Sequence, residues 1–143
     1  MAANTSPIFG LTPNTQTGQT IATQNTAKDG TGTVVTGFTA GANGSLVEQI
    51  HFMPIGTNVV TVARIFINNG LLSSTPGNNS FYDDITLAAS TLNESGSMGV
   101  VTYIFKVNGM PRPLNLPGGY KLNFTIGATV SAGYAIQVVG ADF

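Results

Sequence analysis

The side chains that could carry out chemistry are few and far apart in this sequence. It contains one histidine, His51, no cysteine, six acidic residues and five basic residues. His51 lies in the alternating segment Leu46–Met53, on the face of Val47 and Gln49, and no second histidine or cysteine is present to complete a metal site. We therefore expect His51 at a solvated or interface position, as neither a metal ligand nor a general base.

Two adjacent carboxylates, Asp83 and Asp84, would suit general acid–base chemistry only if both pointed into one site. Neighbouring residues of a strand point to opposite faces, so the two cannot share a site unless a bulge intervenes. Gly30-Thr31-Gly32 lacks the third glycine of a dinucleotide-binding loop, and Ser97 lacks the preceding glycine of a nucleophile elbow. We expect no enzyme, no cofactor and no metal ion.

The composition describes one domain with very little charge. Only 8% of the 143 residues are charged, against the roughly 25% usual for soluble domains, while 42% are apolar. The surface must then consist largely of Thr, Ser, Asn, Gln and Gly, and a net charge of −1 gives little repulsion between copies. We expect the chain to belong to an oligomer or to a complex with a partner.

Nucleic acids and membranes are poor candidates for that partner. The basic residues are scattered and form no patch for a phosphate backbone; they are Lys28, Arg64, Lys106, Arg112 and Lys121. No segment approaches 18 consecutive apolar residues, and the first residues lack the basic and apolar regions of a signal peptide. We expect synthesis in a cytosol, without entry into a secretory pathway by a signal of its own.

The last third of the chain shows the clearest pattern, an alternation of apolar and polar side chains. Tyr120–Ile126, Tyr134–Val139 and Met98–Val107 each alternate with a period of two, which is typical of strands with one buried face. We expect these three strands to form one sheet, covered by a layer from the first two-thirds.

The rest of the chain consists of short β-type segments separated by turns rich in Gly, Asn and Pro. The further candidate strands are Gln19–Gln24, Thr33–Phe38, Leu46–Met53, Val59–Ile67 and Phe81–Ala88. About eight short strands predict an all-β protein, an antiparallel β-sandwich or barrel. Val59–Ile67 is apolar on both faces, so we expect it to be central and covered on both sides, by the sandwich or by a neighbouring subunit.

The first residues show no period and predict an extended N-terminal arm. We assign residues 1–17 to this arm and residues 18–143 to the β-sandwich domain. Ile8, Phe9 and Leu11 are the apolar residues of the arm and our candidates for a partner contact. They could anchor it in a groove of the same subunit or of a neighbouring one, and the sequence leaves both alternatives open.

Aromatic residues near a polar turn offer a second kind of contact. Phe81 and Tyr82 follow Asn78-Asn79-Ser80, so a small glycan site is conceivable there. The alternative is that the aromatic residues belong to the core, because most of them lie inside candidate strands.

Several runs resemble a group of small proteins encoded by tailed bacteriophages and prophages. They are Ala63-Arg64-Ile65-Phe66-Ile67-Asn68-Asn69-Gly70, Asp83-Asp84-Ile85-Thr86-Leu87, Thr91-Leu92-Asn93-Glu94, Leu116-Pro117-Gly118-Gly119-Tyr120-Lys121-Leu122 and Gly140-Ala141-Asp142-Phe143. The resemblance covers about residues 30 to 143. Small all-β phage proteins of this size are often capsid decoration, or cement, proteins with a jelly-roll-like sandwich, which form trimers and bridge capsomers.

The resemblance therefore implies a homotrimeric virion protein of jelly-roll type. It would bind the major capsid protein on the capsid surface and stabilise the assembled lattice. An alternative is a tail or head-fibre module that binds a receptor or glycan through the loops Asn78–Tyr82 and Asn108–Arg112. A hydrolase would need a buried pair of acids, of which the sequence gives no sign.

Overall fold

The computed structural model describes residues 10–143, and the regular structure in this part is almost entirely β. The strands are β1 (Thr12–Ile21), β2 (Val35–Thr39), β3 (Ser45–Pro54), β4 (Thr61–Asn68), β5 (Asn79–Leu87), β6 (Val101–Ile104), β7 (Lys106–Val107), β8 (Met110–Pro111), β9 (Leu114–Leu116), β10 (Lys121–Ile126) and β11 (Tyr134–Asp142). One short 3₁₀ turn covers Pro76–Asn78. Within residues 10–143 there is no helix long and apolar enough to cross a membrane.

Two antiparallel sheets contain the long strands. Sheet A has the order β1-β11-β3-β6, with β9 also paired to β3, and sheet B has the order β2-β10-β4-β5. The pairing is nested: β1 pairs with β11, β2 with β10, β3 with β6 and β4 with β5. The short strands β7 and β8 form a separate hairpin.

The core lies between the sheets, where the inward side chains of both meet. Its largest fully buried members are Phe38, Phe52, Phe105, Phe124 and Tyr134. Phe52 of sheet A meets Phe124 of sheet B edge to face, with ring centroids 5.8 Å apart. The alternating strands therefore place their apolar faces against each other, and the antiparallel β-sandwich predicted from the sequence is confirmed.

The three alternating segments of the last third do not form one sheet, and that prediction was wrong. β6 and β11 lie in sheet A with β3 between them, whereas β10 lies in sheet B. The turn after Ile126 carries the chain from one sheet to the other. A period of two identifies the buried face of a strand but contains no information about which strand lies beside it.

β1 begins at Thr12, inside the range predicted for the arm and before the predicted strand Gln19–Gln24. Its backbone pairs with β11 from Thr12 to Ile21, with an irregularity that contains Gly18 at a φ of +85°. The strand is made almost entirely of Thr, Gln, Asn and Gly, and most of its side chains are exposed. An alternation of apolar residues therefore could not predict where this strand begins.

β4 is an interior strand of sheet B, as predicted, but it begins at Thr61. Val59 and Val60 of the predicted strand precede it and are exposed, so their predicted cover was wrong. Ala63 and Ile65 face the core, while Phe66 on the opposite face is also fully buried. Phe66 packs edge to face on Phe81, at 5.7 Å between centroids, and lies against Gly30. The cover on the second face therefore includes a loop and a neighbouring strand of the same chain.

The predicted turn at Asn108 and Gly109 forms the tip of the β7–β8 hairpin. Both residues have positive φ, 51° and 78°, which is the combination a type I′ turn requires. The preceding candidate strand Met98–Val107 is interrupted, because Phe105 leaves β6 and enters the core before the hairpin starts.

Candidate functional site

The outer side of sheet A is unusual for a surface because it contains almost no charge. The strands β1, β3, β6, β9 and β11 together have two charged residues, Glu48 and Asp142. Asp142 is already engaged: its Oδ1 accepts hydrogen bonds from the hydroxyl of Ser45 and, at 2.7 Å, from the amide of Asn14. Glu48 is thus the one exposed charge in these strands.

Six half-buried side chains of β3 and β11 form the centre of this side, which we call the neutral face. They are in cross-strand register as three pairs, Ala135 with Met53, Gln137 with His51, and Val139 with Gln49. Their neighbours along each strand point into the core. None of these six side chains has a carboxylate or an ammonium group, so covering them with another protein removes no such group from water. The carboxylate of Glu48, next to Gln49 in β3, would have to stay in contact with water.

His51 lies on the outer side of sheet A, and one of its predicted neighbours differs. The ring is half buried on the neutral face, and its Nδ1 lies 3.3 Å from the hydroxyl oxygen of Thr102. Glu48 is an extra residue in β3 at a bulge opposite β11, so Val47 points into the core instead of sharing the face of His51. The predicted grouping of Val47 with His51 was wrong because the bulge shifts the alternation by one residue.

The sandwich is closed on one side and open on the other. Where the edge strands β5 and β6 approach each other, they leave a groove of about 540 Å³, which we call the β5–β6 groove. Its lining consists of Tyr82, Asp83, Ile85, Thr102, Tyr103, Ile104 and Lys106. The groove combines aromatic, aliphatic, acidic, basic and hydroxyl groups within a small volume, which is typical of a site for a small ligand.

A hydrogen bond of 2.6 Å joins the two edges of the β5–β6 groove, from the hydroxyl of Tyr103 to Oδ2 of Asp83. The other oxygen of Asp83 accepts a hydrogen bond of 2.8 Å from the backbone N–H of Asp84. Burial, together with the hydrogen bond to Asp83, raises the pKa of Tyr103 well above its usual range, so its hydroxyl remains a donor. These two hydrogen bonds hold the Asp83 carboxylate in one orientation.

Phe105 supports both tyrosines of this groove from beneath. Its ring meets Tyr82 at 5.6 Å and Tyr103 at 5.2 Å, both edge to face. Burial, and secondarily the charge of Asp83, raises the pKa of Tyr82. The phenol of Tyr82 is therefore neutral over the physiological range, and the negative charge of Asp83 adds to the effect of burial.

From the sequence, a small glycan site is conceivable at Phe81 and Tyr82. In the structure these two residues lie on opposite faces of β5. Tyr82 is an extra residue at a bulge of β5 and lines the groove, whereas Phe81 packs on the opposite face against Phe66. The segment Asn108–Arg112 lies on the exposed hairpin and does not line the groove. The contributions of Thr102, Tyr103 and Lys106 were missed because they come from a strand distant in sequence.

Of the arm residues predicted to contact a partner, Ile8 and Phe9 lie outside the described residues. Leu11 is described and has 79% of its surface exposed. Its backbone N–H donates a hydrogen bond of 2.7 Å to the carbonyl oxygen of Asp142. A second groove, of about 510 Å³, lies at the same end of sheet A, lined by Asn43, Leu46, Asn115, Leu116, Pro117 and Phe143.

The acidic residues stay apart from one another. Asp83 pairs in register with Ile65, which faces the core, and Asp84 pairs with Arg64 on the opposite face of sheet B. Within residues 10–143, no three His, Asp or Glu side chains come together in a group that could hold a metal ion.

Comparisons with protein-family models, with curated proteins and with solved structures found no match to this chain.

Proposed function

We propose that this protein is a structural component of a phage virion, a capsid decoration protein that binds the assembled major capsid lattice. It associates with itself, as a homotrimer, and resides on the capsid surface. A protein that binds only the assembled lattice stabilises it by mass action, in proportion to its affinity and copy number. No chemical step is required of it.

The observation that supports this proposal most strongly is the neutral face. Its six side chains include no carboxylate and no ammonium group, and they occupy the two central strands of sheet A. Protein interfaces are depleted of charged residues at their centre, and a face of this composition meets that condition without any rearrangement. We assign the contact with the lattice or with a second copy to this face.

The N-terminal residues add a second surface to the proposed contact with the lattice or with another copy. Leu11 is exposed at the same end of sheet A as the groove that contains Leu46 and Phe143. Ile8 and Phe9 precede it in the sequence, so three large apolar side chains lie within four residues. We assign to Ile8, Phe9 and Leu11 the role of anchoring the subunit to a neighbour.

The nested strand pairing supports the jelly-roll type that the resemblance implies. If the short strands β7, β8 and β9 are set aside, the first strand pairs with the last, the second with the next to last, and so on inward. Successive pairs alternate between sheet A and sheet B. This is the arrangement obtained when one long antiparallel hairpin is rolled into two sheets.

The test of the proposed function is the number of copies per particle. Quantitative mass spectrometry of purified virions of the encoding phage, against the major capsid protein, should give one copy per capsid subunit or a simple fraction of that ratio. A few copies per particle would move the protein to the tail or to a vertex. Its absence from virions would refute the proposal.

The second candidate is a tail or head-fibre module that binds a receptor or glycan. The observation that favours it is the β5–β6 groove, in which Tyr82 and Tyr103 lie beside the fixed carboxylate of Asp83. A low copy number together with binding to cells of the host would favour this candidate over decoration.

A further inference from the structure

The β5–β6 groove has the donor and acceptor groups of a site for an uncharged ligand. Asp83 only accepts hydrogen bonds, and Lys106 only donates them. The hydroxyl of Thr102 can do both. The charges of Asp83 and Lys106 are opposite, so the lining has no net charge that would select an anion or a cation, and a neutral ligand rich in hydroxyl groups can use both groups.

The carboxylate of Asp83 is oriented before any ligand arrives. Its Oδ2 accepts the hydroxyl of Tyr103 at 2.6 Å and its Oδ1 accepts the N–H of Asp84 at 2.8 Å. A carboxylate offers about four lone-pair sites, so acceptor capacity remains on both oxygens. A group held in place in this way loses little conformational freedom when it binds a ligand.

The groove also offers apolar surface for the C–H groups of a sugar ring. Tyr82 is supported by Phe105 beneath it, at 5.6 Å between centroids, and its ring has an apolar body with a polar tip. Ile85 and Ile104 lie in the same lining, one from each edge strand. A sugar has apolar C–H faces and polar hydroxyl edges, which matches this mixture.

We propose that the β5–β6 groove binds a neutral saccharide, with Tyr82 as the apolar platform and Asp83 as the acceptor of sugar hydroxyl groups. Tyr103 is a positioning residue, which acts by holding the Asp83 carboxylate. The volume of about 540 Å³ suits one or two sugar rings. The inference deepens the second candidate function but does not require it. The groove adjoins the neutral face at Thr102, whose hydroxyl lies 3.3 Å from Nδ1 of His51, whereas Tyr82 and Asp83 belong to β5 of sheet B.

A saccharide site on a lattice protein would make the strength of glycan binding depend on the number of copies per particle. Each copy would bind weakly, since a small open groove buries only part of a sugar. Many copies on one particle would bind a glycan-covered surface much more strongly than a single copy does, because every further contact forms within the same particle. Weak binding by the isolated protein is therefore expected.

The test is a titration of the ¹⁵N-labelled full-length protein with methyl glycosides of glucose, galactose, mannose and N-acetylglucosamine, followed by amide chemical shifts. At least one glycoside should shift the amides of residues 82–85 and 102–106 in a saturable manner. Tyr82→Ala should weaken this binding at least about tenfold, a loss of about 1.4 kcal/mol. Thr86→Ala, at an exposed residue of the same strand outside the groove, should leave it unchanged.

Because Tyr82 packs on Phe105, its removal could disturb the fold, so Asp83→Asn provides a second variant. Asparagine keeps an oxygen that can accept the Tyr103 hydroxyl but loses the charge and part of the acceptor capacity. Its amide spectrum should remain dispersed while saccharide binding weakens several-fold. Failure of every glycoside to shift these amides, or equal binding by Asp83→Asn and the wild type, would overturn the inference and would leave the capsid proposal untouched.

Discussion

The side-chain amide of Gln16 in β1 makes two hydrogen bonds to the backbone of Thr39 in β2. Its Nε2 donates to the Thr39 carbonyl oxygen at 2.8 Å, and its Oε1 accepts the Thr39 N–H at 3.0 Å. β1 is the edge of sheet A and β2 is the edge of sheet B, so one side chain joins the two sheets. The opposite edges, β5 and β6, are joined by the Tyr103–Asp83 hydrogen bond and leave the groove between them.

Gln16→Ala should lower the free energy of unfolding by about 1 kcal/mol, because two hydrogen bonds to Thr39 and one to Oδ1 of Asn14 are lost at a partly solvated position. Urea denaturation measures the change. Thr20→Ala, at an exposed residue of the same strand, is the control and should change stability by less than about 0.5 kcal/mol. Equal losses of unfolding free energy for the two substitutions would mean that the Gln16 amide does not stabilise the contact between the two sheets.

Asn58→Ala should destabilise the protein by about 2–4 kcal/mol. Asn58 is 3% exposed; its Oδ1 accepts the backbone N–H groups of Ala132 and Gly133, and its Nδ2 donates to the Gly133 carbonyl oxygen at 2.9 Å. Its loss leaves the backbone N–H groups of Ala132 and Gly133 without their acceptor, whereas the Gly133 carbonyl oxygen keeps the N–H of Ile55.

Thermal and urea unfolding measure this loss. Asn115→Ala removes the same amide from an exposed position of β9 and is the matched control. A cost for Asn58→Ala no greater than that of the control would show that water replaces the lost hydrogen bonds.

Asp142→Ala should remove a contribution to stability that depends on pH. The hydrogen bond from Ser45, and then that from Asn14, lowers the pKa of Asp142 below its ordinary value of 3.8. The folded state then favours the carboxylate, so the contribution is complete above the unfolded pKa and is lost as the pH falls through the lower folded pKa.

The measurement for Asp142 is the difference in unfolding free energy between wild type and Asp142→Ala from neutral pH to about pH 2. It should be at most about 1 kcal/mol at neutral pH, because solvent screens this little-buried carboxylate, and it should shrink in acid. Glu48→Ala, which removes an exposed carboxylate, should show no comparable difference. A difference for Asp142→Ala that stays constant in acid would contradict the assignment.

The double substitution Ile8→Ser and Phe9→Ser should weaken binding to capsids without changing the thermal stability of the free protein. These side chains precede β1 in sequence, so β1 and its pairing with β11 stay unaltered. Cosedimentation with capsids and thermal unfolding are the two measurements. Unchanged cosedimentation would remove these residues from the proposed contact.

The inward faces of most strands could be predicted from the sequence, because alternation reports burial directly. In β10, Leu122, Phe124 and Ile126 are buried as the pattern requires. Asn123 and Thr125 on the other face are buried too, so the single buried face predicted for this strand was wrong. The bulges at Glu48 and Tyr82 could not be predicted, since an extra residue is defined by the strand opposite it. Each bulge decides which side chains share a face, so each one changed the description of the candidate site.

The burial of several asparagines could not be predicted from the sequence either. From composition, Asn belongs to the surface, yet Asn25, Asn58, Asn68 and Asn123 are buried. Asn25 shows why: its amide donates to the carbonyl oxygens of Thr31 and Thr33 at 2.7 and 2.8 Å, and so organises the loop before β2. An amide can be buried where it satisfies backbone groups of a loop, and sequence alone does not show where those groups lie.

The neutral face is the central element of the proposed function, and one measurement tests it most directly. Gln137 lies in the middle of this face, paired with His51, and Gln137→Lys would place an ammonium group in the contact. Thr86→Lys adds the same charge to an exposed position of β5 in sheet B and is the matched control.

Both variants should fold, and binding to capsids that lack the protein is measured by cosedimentation. We expect saturable binding by the wild type and Thr86→Lys, and a loss of at least about tenfold for Gln137→Lys. Full binding by Gln137→Lys would contradict the assignment of the neutral face as the contact surface.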